Sequence, residues 1–172
     1  MILVTVGTHN HGFNRLVQAM DELAAELDEQ VIIQRGSSAF EPIHAEHFDW
    51  APGQRMEQLN REARIIIMHA AAGSILTALL LGKALIVVPR QQQYGECIDN
   101  HQRQLATALH TQGRAIAVYQ PSKEALHEAI QKAAQLEIKN RGATQLVAAL
   151  NQQLTDWNVS DLKTVRPIAR KS

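Results

Sequence analysis

Three short stretches carry the residues whose types and spacing could do chemistry. They are Gly7-Thr8-His9, the run from His69 to Ser74, and the run from Arg90 to Gln102. The second stretch reads His69-Ala70-Ala71-Ala72-Gly73-Ser74 and is almost free of bulk. Small side chains let a ligand approach backbone N–H groups, and a helix starting there favours a diphosphate through its dipole. Ser74 adds a hydroxyl and His69 a ring donor. The same small residues also suit a helix packed closely on a strand. Gly7-Thr8-His9 carries the same two readings. It is not a P-loop, because no Gly-Lys-Ser/Thr follows, and it is not the G-x-G-x-x-G dinucleotide turn. In the third stretch Glu96, Asp99, His101 and Gln102 are placed at a helix start, where carboxylates and amides can read sugar hydroxyls. A solvated helix start fits them as well. Arg90 pairs either with a phosphate or with Glu96.

These residues need a scaffold, and the rest of the chain supplies one. Residues 2–6 predict a buried strand that breaks at Gly7. Apolar residues at Phe13, Leu16, Val17, Met20, Leu23, Ala24 and Leu27 mark one helix face. Val31 to Gln34 is the second strand and His47 to Trp50 a short third. A helix over Gln54 to Glu62 leads to the strand Ile65 to Met68. His69 to Ser74 forms a turn, Ile75 to Leu81 a helix, and Gly82 its stop. Leu85 to Val88 is a strand closed by Pro89. Ile98 to Gln112 is helical, and Ala115 to Tyr119 is the last strand. Ser122 caps a further helix, whose Glu124 and Glu128 suit its first turns. A last helix spans about Ala143 to Leu154, and a basic tail with Arg166, Arg170 and Lys171 follows.

Continuous apolar strands alternating with amphipathic helices predict a doubly wound, Rossmann-like α/β domain with a parallel sheet covered on both faces. In such sheets ligands bind beyond the carboxyl ends of the strands. All three chemical stretches fall at those ends.

Composition narrows the partners. The 172 residues fit one domain, read as 1–154 with a flexible tail over 155–172. Hydrophobic residues make up 45% and charged residues 20%, as in ordinary globular proteins. Lys+Arg and Asp+Glu both total 17, so no net field draws the chain to nucleic acid. Cys97 is the only cysteine, which suits a reducing cytoplasm. The apolar run at residues 2–6 is too short for a leader core, and no stretch reaches the roughly 20 apolar residues of a membrane span. The eight histidines show no His-Glu-x-x-His arrangement, so no metal is expected. Nothing pairs Cys97 with a histidine as a nucleophile.

The ordered set of motifs is more specific than any one of them. Val4-Thr5-Val6-Gly7-Thr8-His9 and Phe13-Asn14-Arg15-Leu16 resemble the opening of the donor-binding subunits of bipartite glycosyltransferases. So do Gln34-Arg35-Gly36-Ser37-Ser38, Gly73-Ser74-Ile75-Leu76-Thr77-Ala78, Gly82-Lys83, Val87-Val88-Pro89-Arg90, Gly95-Glu96, Asp99 and His101-Gln102. This group includes the bacterial exopolysaccharide type and the eukaryotic dolichol-linked UDP-N-acetylglucosamine transferase subunit. It is similar to the C-terminal half of glycosyltransferase family 28 enzymes. The resemblance covers about residues 1 to 120.

The resemblance implies one half of a GT-B fold and an inverting transfer from a UDP-sugar without a bound metal or other cofactor. The acceptor, a polyprenyl-diphosphate-linked saccharide, would be held by a membrane-anchored partner subunit. That partner would also supply the general base, so no catalytic residue is assigned to this chain. The chain itself would sit in the cytoplasm, peripheral at the inner face of the membrane. Gly7, Thr8, His9, His69, Gly73 and Ser74 would border the diphosphate, and Asp99, His101 and Gln102 would face the sugar. Arg90 would help neutralise the leaving group if it reaches. Thr77 stands where many relatives have a Glu for the ribose hydroxyls. Ala70-Ala71-Ala72 stands where they have a glycine-rich turn, and its three methyl groups narrow the approach to backbone N–H groups and disfavour positive φ. A non-catalytic scaffold that has lost donor binding is therefore the alternative. The apolar stripe Ala143, Val147, Leu150 and Leu154 packs on the core or docks the partner.

Overall fold

The computed structural model describes residues 1–98 and 101–135, which belong to one compact unit. The elements run β1 (Ile2–Thr5), α1 (Asn14–Ala24), β2 (Val31–Gln34), β3 (Glu46–Phe48), α2 (Gly53–Glu62) and β4 (Ile65–Met68). They continue with α3 (Ala72–Leu80), β5 (Ala84–Val87), α4 (His101–Thr111), β6 (Ile116–Ala117) and α5 (Lys123–Gln135). The six strands form one sheet in the order β3-β2-β1-β4-β5-β6. Every pairing is parallel. The parallel, doubly wound architecture is the class predicted from the strand pattern, and the structure supplies the strand order. Chain direction across the sheet reverses between β1 and β4, which makes the gap beyond their carboxyl ends the topological switch point.

Burial explains why the strands carry no polar alternation. All four residues of β1, β2 and β4 are buried, because helices cover both faces. Ile2, Val4, Ile33, Ile65, Ile67 and Ile86 face one core with α1 and α5. Leu16, Met20 and Leu23 of α1 are fully buried in that core, as is Phe13 just before the helix. The same helix inserts a carboxylate. Asp21 is 1% exposed and accepts the N–H groups of Ile43, His44 and Ala45 at 2.8–3.1 Å. That contact fixes the connection into β3. Burial alone would raise the Asp21 pKa, but the three backbone donors and the His44 ring overcome it and hold the carboxyl below its ordinary value.

Several boundaries differ from the sequence reading. The helix after β4 begins at Ala72, so Gly73 and Ser74 lie in its first turn rather than in a loop. The third strand ends at Phe48, which leaves Trp50 beyond it. A 3₁₀ turn at Gln92–Tyr94 follows β5, and Ile98 is a bend ahead of α4 rather than its first residue. The last strand is two residues long. The expected helix over 143–154, its apolar stripe, the basic tail and Asp99 lie outside the described residues.

Candidate functional site at the switch point

Beyond the carboxyl ends of β1, β2 and β4 lies a cavity of about 590 Å³. Four of the expected donor-binding residues line it: Gly7, Thr8, Ser74 and Thr77. Thr5, Gln34 and Met68, the last residues of their strands, form its floor, and Trp50, Met56 and Leu80 add an apolar wall. The cavity thus combines small polar groups from the strand-end turns with an apolar wall that Glu57, Asn60 and Arg61 also border.

The loop after β1 is shaped by close approach. Gly7 has φ +78°, and a Cβ there would lie 2.5 Å from Cε1 of His69. Only glycine fits both the left-handed backbone and the ring beneath it. Gln34 clamps this turn. Its Oε1 accepts the Gly7 N–H at 3.0 Å and the Thr5 hydroxyl at 2.7 Å. Its Nε2 donates to the carbonyls of Gly7 and Asp49 at 2.9 and 3.0 Å. The buried Gln34 amide thus ties the glycine turn to the segment carrying Trp50.

His69 is 8% exposed, and its Nδ1 is buried without a hydrogen-bond partner. Burial, and then the positive charge of Arg90, push its pKa down to about 4. The ring is neutral at pH 7 and can donate one proton without carrying charge. Behind it, α3 starts with no side-chain cap. The N–H groups of its first turn have no intrahelical acceptor and remain for a ligand. Ala71 is extended at φ −95° and ψ 122°, and no non-glycine residue among those described has positive φ. The Ala70-Ala71-Ala72 turn is therefore made without the backbone conformation that methyl groups oppose. A Cβ on Gly73 would meet no atom within 4 Å, so the space over the helix start is open. Thr77 donates its hydroxyl proton to the Gly73 carbonyl at 3.1 Å, leaving the oxygen as an acceptor.

Two expected ligand contacts are corrected by the geometry. Arg90 is 2% exposed. Its guanidinium donates to the carbonyls of Val6, His11 and Gly12 at 2.9–3.0 Å and stacks over Phe13 at 4.9 Å. Its two terminal nitrogens are engaged by these carbonyls while Nε is buried without a partner, so the side chain staples the loops from inside and lies outside the cavity lining. Glu96 lies ahead of α4 rather than in its first turn, and is 5% exposed. Its carboxylate accepts a bidentate pair from Arg15 at 2.7 and 2.9 Å. Both side chains are engaged within the protein's own loops.

The remaining expected residues are spread along the same edge. His9 is exposed, outside the cavity lining, with its ring edge-on to His11 at 4.8 Å. His101 and Gln102 are half-buried in the first turn of α4, where Gln102 Oε1 accepts the Arg90 N–H at 3.1 Å. No three of the His, Cys, Asp and Glu side chains among the described residues come together as a metal site would need. Among the same residues no helix is long and apolar enough to cross a membrane.

The site also contains residues that sequence reasoning passed over. Trp50 and Met56 form the apolar wall. Trp50 was placed inside a strand, and ending that strand two residues earlier would have put it in a ligand loop.

A small polar turn at a helix start, opening into an apolar slot at a switch point, suits a nucleoside diphosphate. Comparison with known proteins identifies the family. The glycosyltransferase family 28 C-terminal domain matches residues 1–155. The chain belongs to this family. It is 31% identical over 123 residues to the UDP-N-acetylglucosamine transferase subunit ALG13 of Homo sapiens, covering 65% of this chain and 10% of that protein. It is 37% identical over 62 residues to the subunit of the same name from Candida glabrata, covering 36% of this chain and 29% of that one. The chain thus spans less than a third of the length of either relative. Among solved structures it resembles the calicheamicin glycosyltransferase CalG4, with TM-score 0.65 and 18% identity over 96% of this chain and 44% of that one. It also resembles MurG of Acinetobacter baumannii, with TM-score 0.58 and 21% identity over 88% of this chain and 49% of that one. The fold is one half of a GT-B glycosyltransferase.

Proposed function

We propose that this chain is the donor-binding subunit of an inverting UDP-sugar glycosyltransferase. Its acceptor is a polyprenyl-diphosphate-linked saccharide of exopolysaccharide biosynthesis, held by a membrane-associated partner. The observation that carries the reading is the switch-point cavity, which joins Gly7, Thr8, Ser74 and Thr77 to the Trp50–Met56 wall. The UDP-N-acetylglucosamine transferase subunits it resembles support a UDP-sugar donor and a role as one subunit of an enzyme.

In this reading the base of the nucleotide lies against Trp50 and Met56, and the ribose lies near Thr77. The diphosphate sits over the first turn of α3, with Ser74 and Thr8 beside it. As the acceptor hydroxyl attacks the anomeric carbon, the UDP leaving group gains negative charge. Preoriented N–H groups and the α3 dipole stabilise that charge without reorganising. Neutral His69 lies beneath the Gly7 turn and adds no charge to the site. No residue here is assigned as general base; that group belongs to the acceptor-binding partner, which also brings the chain to the inner face of the membrane.

The alternative, a scaffold that has lost donor binding, rested on the alanine turn. Its backbone needs no positive φ, which supports the donor-binding reading over the scaffold. Sugar transfer should therefore require both subunits. The purified chain with UDP-sugars and a lipid-linked acceptor is expected to give no product until the partner is added. Robust turnover by the chain alone would overturn the two-subunit reading.

A further inference from the structure

Arg15 has no place in the donor-binding reading, yet it joins the loops that this reading uses. It lies in the first turn of α1, just after the loop that carries Gly7 and Thr8. Its Nε and Nη2 donate to the two oxygens of Glu96 at 2.7 and 2.9 Å. The pair is well enclosed, with the Arg15 side chain 20% exposed and the Glu96 side chain 6%. Arg15 Nη1 donates to the Tyr119 carbonyl at 3.3 Å, and its guanidinium lies over the Tyr94 ring at 4.4 Å. These contacts, with the Phe13 ring at 5.4 Å, fix the fork in one orientation.

From Glu96 the connection runs to the sugar end of the site. Glu96 Oε2 accepts the Gln91 N–H at 2.9 Å, which closes the loop after β5 on itself. The next residue back, Arg90, donates its backbone N–H to the side chain of Gln102. Its guanidinium reaches the carbonyls of His11 and Gly12 in the loop after β1. The loop after β1 and the first turn of α4 are thus held to one another through Arg90.

We propose that Arg15 is a positioning residue for the sugar moiety of the donor: through Glu96 it sets the loop after β5, and with it the placement of His101 and Gln102. This rests on the donor-binding reading. A bidentate fork is needed, because a lysine ammonium keeps the charge but cannot hold both carboxylate oxygens in one plane. The diphosphate end has its own supports, the Gln34 clamp on Gly7 and the first turn of α3.

The test is calorimetry on the full chain with UDP and with UDP-N-acetylglucosamine, UDP-glucose, UDP-galactose and UDP-glucuronic acid. Wild type, Arg15→Lys and Glu96→Gln are compared, and thermal melting reports folding. The sugar that wild type binds best is the probe. Both variants are expected to bind it about tenfold more weakly while UDP affinity changes by less than about twofold. An equal loss for UDP and UDP-sugar, unchanged affinities, or a lowered melting temperature with unchanged affinities in the folded fraction would each overturn the proposal. Wild type that binds UDP but no UDP-sugar more tightly also overturns it. Wild type that binds neither defeats the donor-binding reading as well.

Discussion

Gly7 and His69 show how one contact constrains a site. The glycine takes positive φ directly over the histidine ring, with space for a hydrogen and nothing larger. Gly7→Ala would strain the backbone and push the ring. It is expected to destabilise the fold by about 1–3 kcal/mol and to abolish UDP binding, read by thermal melting and calorimetry. His69 itself should titrate near pH 4, because burial and Arg90 oppose its protonation. Its folded pKa lies below the unfolded value of 6.5. The resulting stability is complete above pH 6.5 and is lost as pH falls toward 4, since the unfolded chain takes up the proton first. NMR of the imidazole protons checks this, and a His69 titration near pH 6.5 would contradict the burial argument. That Gly7, Thr8, Ser74 and Thr77 would share one cavity was legible in the sequence, since small and hydroxyl residues at strand ends meet at one sheet edge. Arg90 and Glu96 were not. A charged residue in a loop sequence looks the same whether it meets a ligand or a backbone carbonyl, and only the fold brings Val6, His11 and Gly12 up to Arg90.

Strands were easy to place because burial on both faces gives them unbroken apolar runs. Val31–Gln34 and Ile65–Met68 coincide with their expected spans. Boundaries were harder where apolar pattern gives no signal. Small alanines belong equally to a turn and to a helix start, so α3 began three residues earlier than its first bulky side chain. Trp50 looked like strand because aromatic residues favour strands, although β3 ends at Phe48. The connection into β3 is held by Asp21 of α1, a polar residue buried inside an apolar helix face. Asp21→Asn keeps the shape but loses the charge that its three backbone donors and His44 complement. A loss of about 1–3 kcal/mol is expected at pH 7 in chemical denaturation. Because the folded Asp21 pKa lies below its ordinary value, this stabilisation is present above the unfolded carboxylate range and fades as pH falls below it. The difference between wild type and Asp21→Asn should therefore shrink in acid.

At the scale of the whole molecule, strand order decides where chemistry can occur. The β3-β2-β1-β4-β5-β6 order opens a crevice between β1 and β4, and the small-residue turns of both strands meet there. The same order puts α4, with His101 and Gln102, on the β5 side of that crevice. A nucleotide-sugar lying across the edge would place its diphosphate at the crevice and its sugar toward α4. The chain matches about half the length of the glycosyltransferases it resembles in fold, 44% and 49%. A second half is what an acceptor would need. The most direct test of the central claim is calorimetric titration of the full chain with UDP, beside a Trp50→Ala/Ser74→Ala double variant that removes an apolar and a polar lining group of the cavity while melting normally. The account predicts saturable one-to-one binding by wild type that the double variant loses. No heat of binding at millimolar UDP, or binding that survives both substitutions, would contradict it.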